Sequence, residues 1–83
     1  MDTRIALVGI IVEDTKAIPR LNEILHQYEK YIVGRMGIPY REKGVNIISV
    51  VVDATNNDIS SLSGKLGMID GINVKINYSK TTK

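Results

Sequence analysis

The chain has 83 residues, 43% of them hydrophobic and 24% charged, with eleven Lys and Arg against nine Asp and Glu for a formal net charge of +2. That length makes one domain burying roughly 60–65% of its unfolded surface, and so small a charge is weak electrostatics for holding a polyanion. The absence of cysteine excludes disulfides, thiolate metal sites and cysteine nucleophiles. No apolar run approaches the roughly 20 residues of a membrane helix, and without a signal peptide the expected compartment is the cytoplasm.

The first strand is expected over residues 3–13, and within it residues 5–12 (IALVGIIV) are apolar at both alternating sets of positions. A strand with one wet face alternates, so this one needs cover on both sides. Asp14 and Thr15 follow as an acceptor pair suited to capping a helix, and Pro19, which has no amide hydrogen, belongs in the first turn of that helix. The helix therefore starts near Thr15 or Lys16 and runs to about Tyr28, with Ala17, Ile18, Leu21, Ile24, Leu25 and Tyr28 as its apolar stripe. Residues 31–40 (YIVGRMGIPY) read as a second strand, in which Gly34, Gly37 and Pro39 fit an edge position with a bulge or bend. Arg41, Glu42, Lys43 and Gly44 make a charged turn into a third strand over residues 45–53, whose stretch IISVVV is again apolar on both faces. A second helix, capped by Thr55 or Asn56, carries Ile59, Leu62 and Leu66 and stops at Gly67. Asp70 and Gly71 then turn the chain into a fourth strand over residues 72–78, with Ile72, Val74, Ile76 and Tyr78 on one face and Asn73, Lys75 and Asn77 on the other. The domain is expected over residues 1–79, with 80–83 fraying.

The order β-α-β-β-α-β is that of an α+β, ferredoxin-like two-layer sandwich. Right-handed crossovers give an antiparallel sheet in the order 4-1-3-2, with both helices on one face. The two all-apolar strands are then central, and their second face calls for cover from outside the chain. A second copy is the simplest candidate, which makes a homo-oligomer through the sheet, dimer or tetramer, the expected state. A charged residue at Val8, Ile10 or Ile47 is expected to split that oligomer or unfold the chain.

Residues able to carry chemistry are few. His26, the only histidine, sits on the polar side of the first helix near Glu23 and Glu29, where a solvated role outweighs a metal role. Asp14 and Asp53 fall at opposite ends of the sheet, so they make no acid/base pair. No nucleophile with a base, no phosphate-binding loop and no dinucleotide glycine pattern occurs, so no catalytic residue is expected. Arg35 stands out in the glycine-thinned second strand, where a guanidinium can meet a carboxylate on a ligand or a second subunit. The outward face of the second helix, Asn57, Ser60, Ser61 and Gly64, is small and uncharged.

The strings IALVGIIVED, NEILHQYEKYIVGRMGIPYREKGVNIISVVVDA and LSGKLGMIDGINVK, taken together, resemble the iron-only hydrogenase system regulator family over residues 3–78. The resemblance implies a ferredoxin-like fold related to ACT domains and to the effector domain of nickel-responsive repressors, with a regulatory role in the hydrogenase system. ACT-like domains bind small effectors, often amino acids, near the loop from strand 1 to helix 1 and at subunit interfaces. Carried onto this chain, that implies an effector site at Asp14 and Thr15 with Arg35, Met36, Gly37 and Tyr40. Glu13, Asp14 and Thr15 replace the glycine-containing turn of ligand-binding ACT domains, and the histidines and cysteine of a nickel site are absent, so no metal ligand is assigned and the cofactor stays open. Nickel-responsive repressors also carry a DNA-binding module ahead of this domain, whereas here about two residues precede the first strand. Direct nucleic-acid binding is accordingly not expected, and transcriptional control would pass through a partner protein. The alternative is a scaffolding subunit that binds another protein and no small molecule.

Overall fold

Alternation within the strands decides which residues enter the core. The computed structural model describes residues 2–82 and places β1 at Arg4–Val12, α1 at Ile18–Gln27, β2 at Ile32–Tyr40, β3 at Val45–Ala54, α2 at Asn56–Gly67 and β4 at Ile72–Thr82. The four strands form one antiparallel sheet in the order β2-β3-β1-β4, the expected 4-1-3-2 read from its other edge. Ala6, Val8, Ile10 and Val12 of β1 and Ile48, Val50, Val52 and Ala54 of β3 point into the buried layer. There they meet Leu21, Ile24 and Leu25 of α1 and Ile59, Leu62 and Leu66 of α2. The tyrosine at the end of the α1 stripe completes that layer, and its hydroxyl lies 2.7 Å from Ser61 Oγ of α2. Ser61 thus binds one helix to the other instead of belonging to a bare outward face.

Helix starts follow the capping residues. Asp14 Oδ1 accepts from the Lys16 amide at 3.0 Å and opens a 3-10 turn, Thr15–Ala17, that leads into α1 with Pro19 in its first turn. The Thr55 hydroxyl accepts from the Asp58 amide at 3.2 Å and fixes the start of α2. Where the chain turns from β2 to β3, Gly44 takes a left-handed φ of 65° after the 3-10 turn Arg41–Lys43.

Two features of the outer strands differ from the sequence expectation, and α1 starts at Ile18 rather than at Thr15 or Lys16 because the turn before it is 3-10. The expected bulge in β2 falls at Val33, between the pairs Ile32 with Val52 and Gly34 with Val51, after a 3-10 turn at Glu29–Tyr31. β4 does not end at Tyr78: it continues to Thr82, which pairs with Arg4, so residues 80–82 are strand rather than a frayed tail, and Lys83 lies outside the described residues. The four residue steps of β4 from Tyr78 to Thr82 match two steps of β1, and this irregularity lets the outer strand outrun its partner.

Candidate functional site

Strand alternation places the other half of each central strand on an open face. Ile5, Leu7 and Ile11 of β1, Ile47 of β3 and Met36, Ile38 and Tyr40 of β2 all lie there exposed, from 40% for Tyr40 to 59% for Met36. Side chains opposite one another in the register share a face, so these residues form one contiguous apolar surface across β2, β3 and β1, with the polar Asn73, Lys75 and Asn77 of β4 at its side. Contiguous apolar surface of this kind marks an interaction site. Of the three positions where a charge is expected to split the oligomer or unfold the chain, Ile47 lies on this face, while Val8 and Ile10 face the helices, so a charge there acts on the core.

Among the described residues the helical side carries three clefts, the smaller two both bordered by Arg35, one of these also by Asn22, His26 and Glu29. The largest, of about 510 Å3, lies where Asp14, Lys16 and Arg20 meet Lys65, Met68 and Asp70 at the end of α2. The Glu13 and Asp14 amides both donate to the Gly71 carbonyl, at 2.8 and 3.1 Å, which ties the end of β1 to the turn entering β4. That turn needs a glycine: Gly71 has φ 88°, and a Cβ there would stand 2.7 Å from Asp14 Cβ. The cations of this cleft are largely engaged. Arg20 pairs with Glu23, and Lys65 donates to Gln27 Oε1 at 3.3 Å and sits 5.1 Å from the centre of the Tyr28 ring. Asp14 and Asp70 offset the remaining positive charge.

The cleft of about 270 Å3 is bounded by Ile18 of α1, Arg35, Gly37 and Pro39 of β2 and Asn46 and Ile48 of β3. Arg35 opposes Val50, which puts it on the helical side, where its Nη2 donates to Asn22 Oδ1 at 3.3 Å. None of the ion pairs among the described residues involves it, so its charge is free to meet an anion.

The expected effector residues are therefore distributed. Arg35 and Gly37 share a cleft, Asp14 lines another, Thr15 is the exposed first residue of the 3-10 turn, and Met36 and Tyr40 are on the open face, the Tyr40 hydroxyl donating to Glu42 Oε2 at 3.1 Å. His26 Nδ1 lies 3.2 Å from Glu29 Oε2 in an exposed pair, and among the described residues no group of three or more His, Asp or Glu is arranged to hold a metal. No described helix is long and apolar enough to cross a membrane. Sequence reasoning missed the Asp14–Gly71 contact, although a glycine directly after Asp70 at the strand entry was its visible signal.

The profile of the TM1266-like family, described as "Iron-only hydrogenase system regulator, putative", matches residues 4–76. This chain belongs to that family. The solved structure of an uncharacterized protein, TM1266 from Thermotoga maritima, superimposes with a TM-score of 0.89 at 39% identity, covering 94% of this chain and 99% of that one. A formyltetrahydrofolate deformylase from Pseudomonas putida KT2440 shares the fold at a TM-score of 0.62 and 10% identity, over 88% of this chain and 28% of the deformylase. Among curated proteins none matches.

Proposed function

We propose that the chain is a regulatory module of the iron-only hydrogenase system that works in the cytoplasm as an assembly of its own copies, covering the open sheet face, and that responds to a small anionic effector. The observation that carries this reading is the apolar open face: seven large side chains from three strands stand in water on the side of the sheet that has no helices. A domain of this size gains stability by covering such a surface. The family description supports the regulatory role. The effector enters the reading through Arg35, a cation with no ion pair beside a cleft thinned by Gly37.

Native mass spectrometry of gently purified protein tests the assembly, and calorimetry with amino acids and nucleotides tests the effector. An oligomer, together with saturable heat that Arg35→Ala abolishes, supports the whole reading. An oligomer that gives no heat with any of these leaves a scaffolding subunit. A monomer overturns the assembly.

A further inference from the structure

The open face is apolar at its centre but carries one carboxylate and one ammonium among the positions that the strand register places on it, Asp53 on β3 and Lys75 on β4. Asp53 lies opposite Ile5 and Lys75 opposite Gly9, on either side of β1. Two strand spacings of about 4.8 Å and four residue steps of about 3.3 Å hold them roughly 16 Å apart, beyond reach of each other within one copy. Neither takes part in the ion pairs formed among the described residues. Covering this face with an apolar surface would strand both charges, which is costly unless each finds an opposite charge on whatever covers it.

We propose that a second copy covers the face about a twofold axis, with Lys75 of each copy set against Asp53 of the partner subunit. This rests on the assembly reading above and adds its register. A twofold exchange satisfies both charges in both copies at once, because the arrangement is its own complement. The point midway between Asp53 and Lys75 on the sheet is Leu7, so the axis passes over that exposed side chain. With the same spacings, the strands of the two copies cross at roughly 70°, nearer the orthogonal than the aligned class of sheet packing.

Gly9 fits this arrangement. A Cβ there would meet nothing nearer than the Lys75 carbonyl oxygen at 3.7 Å, so the chain's own fold does not require glycine. Glycine inside a strand is otherwise unfavourable and marks close approach of another backbone. Its bare backbone leaves a notch of about 300 Å3 bordered by Ile11, Ile47, Ser49 and Lys75. The area is modest: at that crossing angle the two four-strand faces overlap over about 400 Å2 per copy, or about 800 Å2 for the pair before side-chain relief, toward the small end of interfaces.

Sedimentation equilibrium of the full chain, compared for wild type, Lys75→Asp, Asp53→Lys and the double exchange, tests the register. Each single change brings like charges together at both contacts and is expected to weaken association about tenfold or more, while the double exchange returns it to within about threefold of wild type. Both positions are exposed, so far-ultraviolet circular dichroism of the variants should match wild type. Single changes without effect on a wild-type dimer, or a double exchange weaker than both singles, overturn the register and leave assembly through the sheet standing. A wild type that sediments as a monomer overturns both. Gly9→Val fills the notch, and unchanged association in that variant overturns the close approach.

Discussion

Replacing Gly71 by Ala tests the corner that joins the end of β1 to the entry of β4. Two costs add there. An L-residue in the left-handed region loses about 1–2 kcal/mol, and the new methyl would stand 2.7 Å from Asp14 Cβ, so the corner has to open. Opening it strains the two hydrogen bonds that the Gly71 carbonyl accepts from Glu13 and Asp14, each contributing about 0.5–1.5 kcal/mol. The expected loss is about 2–4 kcal/mol. Gly44→Ala is the matched control: its φ of 65° carries the conformational cost, but nothing lies within 4 Å of the added methyl, so its loss should stay near 1 kcal/mol. Urea denaturation of both variants and wild type at one protein concentration measures the difference, which in thermal unfolding corresponds to several degrees per kcal/mol. If the two variants differ by less than about 0.5 kcal/mol, the contact with Asp14 does not constrain this corner and the reasoning fails.

Other changes separate the two sides of the sheet. Ile47→Glu, on the open face, should dissociate the proposed assembly while leaving a folded chain, whereas Ile10→Asp, at 1% exposure, should abolish folding; gel filtration with circular dichroism distinguishes them. Leu62→Ala empties a place in the helix–sheet layer and should cost about 2–5 kcal/mol by urea titration. Tyr28→Phe removes the 2.7 Å contact with Ser61 while keeping the ring, and the same titration should show about 0.5–1.5 kcal/mol lost.

The fold was legible because each strong local signal agreed with the others. The apolar runs of β1 and β3 marked the central strands, Asp14 and Thr55 marked the helix starts, and the alternation of residues 72–78 marked an edge. The end of β4 was illegible because pairing with Arg4, not the polarity of Lys80 and Thr81, decides whether that backbone is strand. The site was harder to read. Arg35, Met36, Gly37 and Tyr40 sit close in sequence, but a strand sends alternate residues to opposite faces, so closeness along the chain split them between a cleft and the open sheet. Val8 and Ile10 were grouped with Ile47 because a run that is apolar throughout carries no mark of which half faces the helices; of the two outcomes expected for a charge there, their burial points to unfolding.

That alternation in β2 has a thermodynamic corollary. Arg35 and Gly37 border a cleft on one side of a sheet a single residue thick, while Met36 and Ile38, interleaved with them, form part of the surface on the other. A molecule seated in the cleft and a copy seated on the face would press on the same four-residue stretch of backbone. If occupancy of the cleft tightens association of the copies by some factor, association must tighten occupancy of the cleft by that same factor. Concentration of the protein would then set its sensitivity to the effector, and a sparse chain would answer to less of the signal than an abundant one.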